Sequence, residues 1–148
     1  MSKIKVNANI SHLPSFREYE ITANDLEQQL DTLGLDCPMG MLDWTYYFTD
    51  MEGWGKVLSD LAFKSDLYSE DKFDCENYAL KAMSICAERY GLNTFALVIG
   101  DMPLGRHGFN MLYTGAEFLL WEPNGGFECS GQAFPIGEFG YKPKLVLI

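Results

Sequence analysis

The stretch KFDCENYALKA, residues 72–82, decides how this chain is read. A cysteine stands one residue after Asp74, where a polar run turns into a helical pattern. From Cys75 to Tyr90, the residues Asn77, Lys81, Ser84 and Glu88 recur at three- and four-residue steps and form a wet face. The opposite stripe runs through Cys75, Ala79, Met83, Cys86 and Tyr90. Gly91 then ends the helix as a C′ residue. A free cysteine is most often a small buried hydrophobe. Cys75 points with the core stripe yet sits at the very start of the helix, where unpaired N–H groups and the positive end of the dipole favour a thiolate. Asp74 and Glu76 oppose that effect, and a neighbouring imidazolium would decide the balance for the thiolate.

Beyond the helix the pattern changes to strands. TFALVIG (94–100) is continuously apolar, as a central strand would be. RHGFNMLY (106–113) alternates and puts His107, Phe109, Met111 and Tyr113 on one face. EFLLWE (117–122) and KPKLVLI (142–148) read as further strands. Upstream, KIKVNANI (3–10) and FREYEI (16–21) are candidate strands. TANDLEQQLDTL (22–33) reads as a helix capped by Thr22 or Asn24, with Leu26, Leu30 and Leu33 on one stripe. GWGKVLSDLAFK (53–64) reads as a second amphipathic helix burying Trp54, Val57, Leu58, Leu61 and Ala62. Helices followed by a mostly antiparallel sheet make an α+β domain over residues 1–148, with 1–70 a mixed, mainly helical lead-in and 72–148 the cysteine helix plus the sheet.

The chain has two histidines. His12 lies beside Pro14, far from any other reactive group. His107 can be placed by hairpin geometry. If 106–113 and 116–122 pair around a two-residue turn at Thr114–Gly115, opposed residues have numbers that sum to 229, and His107 faces Glu122. A four-residue loop is expected to keep that register and a three-residue loop to shift it by one. A carboxylate there would orient the imidazole and leave its other nitrogen for a thiol, which is the Cys–His–acid arrangement of acyl transfer. Asn124 is the alternative orienter, with a poorer register, and is also a candidate substrate contact.

FDCENYALKA followed by YGL, ALVIG, RHGFN and LLWEPNGG resembles the papain/transglutaminase-like superfamily of cysteine peptidases. The likeness is closer to a small group of phage-borne proteins and the cysteine-protease domain of a mushroom agglutinin. It covers about residues 72–127. The resemblance implies Cys75 as nucleophile, His107 as general base and acid, and Glu122 as the orienting acid. Asn77 stands where that group often has aspartate, and Gly108 where it often has alanine. No glutamine precedes Cys75 to donate to an oxyanion, so the Cys75 N–H needs a second donor, for which Tyr68, Trp44 and Trp54 are the substrate-contact candidates. The implied activity is a cysteine-dependent amide hydrolase acting through a thioester. Its alternatives are a transglutaminase-type acyltransferase and a non-catalytic binding or inhibitory module, such as a phage or mobile-element accessory protein.

Composition narrows the partners. The 148 residues contain 10 Phe, 8 Tyr and 3 Trp, enough for a real core. A formal charge of −10 with no basic stripe argues against nucleic acid, and the close pairs Lys3/Lys5 and Lys142/Lys144 read as solvated strand edges. The expected partner is a peptide or protein substrate. No apolar run approaches the roughly 18 residues of a membrane span. MSKIKVNANI lacks a secretory apolar region, so the expected location is the cytoplasm, the host's if the protein is phage-encoded. Cys37, Cys75, Cys86 and Cys129 are irregularly spaced, and free thiols are expected. Cys86 and Cys129 read as packing residues. A metal centre from Cys75, His107 and Cys129 would lack paired-ligand spacing, and neither metal nor cofactor is expected. The aromatic run Trp44, Tyr46, Tyr47 and Phe48 could line a cleft, but fits a core contact better. NGGF (124–127) reads as a turn.

Overall fold

The structure, a computed structural model, describes residues 13–148. The candidate strand at 3–10, Lys3, Lys5 and His12 lie outside the described residues.

The first described strand, β1 (Glu18–Thr22), runs into helix α1 (Ala23–Thr32). Of the two candidate caps, Thr22 acts: its hydroxyl accepts the Asp25 N–H at 3.1 Å, and Leu26 and Leu30 are buried while Leu33 is exposed. Strand β2 (Thr45–Thr49) pairs antiparallel with β1 and comes from the aromatic run at 44–48. The sequence pattern hid it because both of its faces carry large rings.

Helix α2 (Met51–Val57) begins two residues earlier than its apolar pattern suggests, because Asp50 caps it by accepting the Gly53 N–H at 3.0 Å. It tightens into a 3₁₀ turn over Leu58–Leu61 rather than continuing to residue 64. Trp54, Val57, Leu58 and Leu61 are buried as expected, with Ala62 half-buried.

Helix α3 (Cys75–Tyr90) has the expected ends, with Gly91 in the left-handed conformation at φ +67°. Ser84 and Glu88 face solvent, whereas Asn77 and Lys81 are half-buried. The core side is Tyr78, Ala79, Ala82, Cys86 and Tyr90, with Met83 only partly covered. Five strands follow: β3 (Ala96–Met102), β4 (Gly105–Tyr113), β5 (Phe118–Trp121), β6 (Ala133–Pro135) and β7 (Lys142–Leu147). They form an antiparallel sheet in the order β6-β5-β4-β3-β7, so the chain is α+β. The three-residue β6, ending in proline, gave no readable pattern.

The sheet is buried on both faces. One face meets α2 and α3 through Trp54, Leu61, Ala82, Cys86, Leu112 and Trp121. The other meets α1 and β2 through Leu26, Leu30, Tyr46, Phe109, Met111 and Leu120. Two features place α3 on the sheet. Asn110, fully buried on β4, donates its side-chain amide to Ala79 O at 2.9 Å on the helix and to Ala96 O at 3.0 Å on β3. Gly108 lies under the helix start, where a Cβ would stand 2.9 Å from both the Glu76 Cα and N. The start of α3 therefore rests directly on the backbone of β4.

Candidate active site

Cys75 is presented by a tightly built segment. Ser69 and Phe73 exchange two backbone hydrogen bonds at 2.8 and 2.9 Å around Asp71, which has φ +58°. Asn77 Oδ1 then accepts the Asp74 N–H at 3.2 Å, fixing the first turn of α3. Tyr78 packs on Phe73 and donates its hydroxyl to Lys64 O at 2.7 Å, tying the preceding segment to the helix. The Cys75 thiol is half-exposed and donates to Glu76 Oε2 at 3.3 Å. Asp74 and Glu76 hydrogen-bond to one another, which holds the Asp74 carboxyl above its ordinary range and Glu76 below it.

His107 and Glu122 are in contact: His107 Nε2 donates to Glu122 Oε2 at 2.7 Å, both side chains being buried. The hairpin register is not the expected one. A four-residue loop, Thr114–Glu117, pairs Tyr113 with Phe118, so opposed numbers sum to 231. The loop preserves the face but moves every partner by two residues. Glu122 therefore lies diagonal to His107 just past the end of β5, and a glutamate has the length to close that diagonal.

The carboxylate is held from three sides. Besides His107, Glu122 Oε2 accepts the Tyr141 hydroxyl at 2.8 Å, and Oε1 accepts the Asn124 N–H at 2.9 Å. Asn124 does not orient the imidazole: its side-chain oxygen accepts the Gly126 N–H at 3.0 Å, and its backbone serves Glu122. Around the imidazole, Phe127 and Tyr141 pack with centroids at 5.0 and 5.7 Å. Burial disfavours charge on His107. The nearness of Cys75 and the hydrogen bond to Glu122, with the charges of both, outweigh it and push the imidazole up to about 9. With Nε2 on Glu122, Nδ1 is the nitrogen left for Cys75. Behind the site Cys129 and Tyr141 are both buried, and burial raises both groups.

Two of the four expected substrate contacts reach the site. Tyr68 and Asn124 line a cleft of about 510 Å³ together with Cys75 and His107. Trp54 is a correction: it is buried in the core, with its indole N–H donated to Tyr113 O at 2.9 Å. Trp44 is a second correction. It is 93% exposed and adjoins Thr45, whose carbonyl takes the Asn93 amide beyond the far end of α3. Sixteen helical residues, about 24 Å, separate that end from Cys75. Tyr141, Phe127 and Asn110 went unnoticed in the sequence. Their one signal is general: a buried tyrosine or asparagine must find polar partners.

Among the described residues all four cysteines are free. Also among these residues, Asp74, Cys75 and Glu76 form the one group of three potential metal ligands within 4.8 Å of one another. No helix of the described residues is long and apolar enough to cross a membrane.

Comparison with known proteins is informative at the level of fold. No family model and no curated protein matches the chain. Among solved structures, one described as a PSL1a–E64 complex superposes with a TM-score of 0.64 at 16% identity, covering 87% of this chain and 51% of its own. Another is Polyporus squamosus lectin bound to the human-type influenza-binding epitope Neu5Aca2-6Galb1-4GlcNAc. It gives a TM-score of 0.63 at 15% identity, covering 87% of this chain and 49% of its own. The chain spans about half the length of each. Its fold is thus shared with part of a mushroom lectin, in line with the agglutinin resemblance of the sequence.

Proposed function

We propose that the protein is a cysteine-dependent amide hydrolase of papain/transglutaminase-like type, with Cys75 as nucleophile, His107 as base and acid, and Glu122 as the group that orients His107. The observation that carries this reading is one buried imidazole that bonds a carboxylate held by three hydrogen bonds and lines the same cleft as a thiol at a helix start. Glu122 fixes the ring and its tautomer, which leaves Nδ1 free to serve the sulfur.

In the proposed reaction His107 takes the Cys75 proton, and the sulfur attacks the substrate carbonyl carbon. The developing oxyanion meets the Cys75 N–H at the helix start, with the Tyr68 hydroxyl, which lines the same cleft, as a second donor. Collapse of this intermediate breaks the C–N bond. His107 returns its proton to the leaving amine, and a thioester remains on Cys75. Water, deprotonated by His107, then releases the carboxylic acid and restores the thiol. An amine attacking the same thioester would make the protein an acyltransferase.

The substrate of this reading is a peptide or protein. Sulfur labelling tests it: iodoacetamide should modify Cys75 readily at pH 7, and His107→Ala should slow that reaction at least tenfold. A His107→Ala rate equal to wild type would remove the reading. E64, with which one fold neighbour was solved, is a natural second probe.

A further inference from the structure

The loop 33–44 joins α1 to β2 and runs back along the helix. Near its start the Leu35 N–H reaches Leu30 O at 3.2 Å, and at its end the Trp44 carbonyl takes the Ala23 N–H at 3.0 Å. Hydrogen bonds pin it along its length. Asp36 gives its N–H to Lys144 O at 3.0 Å on β7 and accepts the Val146 N–H at 2.8 Å. The Gly40 N–H closes a turn on Cys37 O at 2.8 Å. Asn93, beyond the end of α3, donates to Asp43 Oδ2 at 2.8 Å, and the Asp43 N–H goes to the Tyr46 hydroxyl at 3.1 Å.

On this pinned segment three large apolar side chains stand in solvent: Met39 is 66%, Leu42 55% and Trp44 93% exposed. Single exposed apolar residues are ordinary, but three in so short a segment form a patch. The core does not need them, because the same loop already supplies Leu35 and Met41 to it. The electrostatic setting is one-sided. Every charged residue between Arg17 and Lys56 is acidic, and Asp31, Asp36 and Asp43 are exposed. Burial, together with the charges of Glu27, Asp31 and Asp36, raises the Cys37 thiol, so these carboxylates surround the first part of the loop. Lys144, whose backbone pairs with Asp36, has its ammonium on Asp101 at 2.5 Å.

We infer that the loop 33–44 is a docking surface for a partner protein that presents a basic amphipathic face, apolar along its centre and flanked by lysine and arginine. Met39, Leu42 and Trp44 supply the apolar contact, with the tryptophan as its anchor. The carboxylates around them select a basic rim and steer its approach, while repelling nucleic acid and anionic lipid. Because hydrogen bonds already fix the loop, little ordering is left to oppose docking. The surface is independent of the thiol–imidazole reaction, since Trp44 lies beyond the opposite end of α3 from Cys75.

The test uses the whole chain and three probes: an amphipathic helical peptide of leucine and lysine, its leucine–glutamate counterpart, and neutral phosphatidylcholine vesicles. Trp54 and Trp121 are buried, so a shift in tryptophan emission on binding reports Trp44. The lysine peptide should move the emission to the blue in a saturable way, and the glutamate peptide should leave it unchanged. Anisotropy of the labelled lysine peptide then compares variants, with thermal unfolding confirming that each is folded. Trp44→Ser should weaken binding at least tenfold. The pair Asp31→Asn and Asp36→Asn should weaken it several-fold more than Glu70→Gln with Glu128→Gln, which removes the same charge from the segments before α3 and after β5. An emission that the lysine peptide leaves unmoved would overturn the surface, as would undiminished binding by Trp44→Ser or equal losses in the two charge pairs. Vesicles that shift Trp44 more strongly than the peptide would make the loop a lipid contact instead. A dimer in sedimentation that Trp44→Ser dissolves would make it a contact between copies of this chain, and either result removes the partner proposed.

Discussion

The two halves of the candidate site are built to different standards. On the imidazole side, Glu122 is fully buried with three hydrogen bonds, and aromatic rings enclose His107. On the thiol side, Cys75 is half-exposed and Asp74 and Glu76 flank it. The base is fixed by the core, and the nucleophile is open to whatever enters the cleft. Preorganisation is thus concentrated where a proton must be held, and access where a bond must form.

Breaking the buried half should have the largest effect. Glu122→Gln leaves the imidazolium without its counter-charge, so near pH 7 the fold should lose about 3–5 kcal/mol in chemical denaturation, and Cys75 labelling should slow by a hundredfold or more. A stable, normally reactive variant would show that the carboxylate is decorative.

Next comes pH. His107 is raised from its ordinary 6.5 to about 9, so the folded state binds this proton more tightly than the unfolded chain. Its stabilisation is complete below about 6.5 and is lost as pH rises through about 9, an amount on the order of 3 kcal/mol. Denaturation midpoints between pH 6 and 10 should show that decline. In Cys75→Ala the decline should be smaller and centred at lower pH, because one group raising His107 is gone.

The contact joining the halves should respond more modestly. Gly108→Ala presses a methyl group onto the Glu76 backbone, costing about 1–3 kcal/mol. More tellingly, it should make iodoacetamide labelling less dependent on His107, since the helix start must move away from β4. Tyr141→Phe should do least: loss of one hydrogen bond to Glu122 costs about 1 kcal/mol and should slow labelling only a few-fold.

Legibility in the sequence followed the same division. The span of α3 could be read because its periodicity, its start and Gly91 agree. The hairpin was readable by face but not by partner. An even-numbered loop keeps His107 and Glu122 on one side of the sheet, whereas its actual length depends on Thr114, whose hydroxyl accepts the Ala116 and Glu117 N–H groups. The helix at 51–61 was visible, but Asp50 moved its start. Trp44 and Trp54 show the limit of nearness along the chain: one lies beyond the far end of α3 and the other belongs to the core. Tyr141 reaches Glu122 from 19 positions away, and no local pattern announces it.

The glycine beneath the helix start has a wider meaning. With no side chain interposed there, the spacing of the two backbones that carry sulfur and ring is measured out by main-chain atoms touching main-chain atoms, a ruler that no intervening side chain can stretch. Exposed residues further along the helix could therefore be redesigned freely without detuning the reactive pair, whereas one added methyl group at the fulcrum would be felt at once.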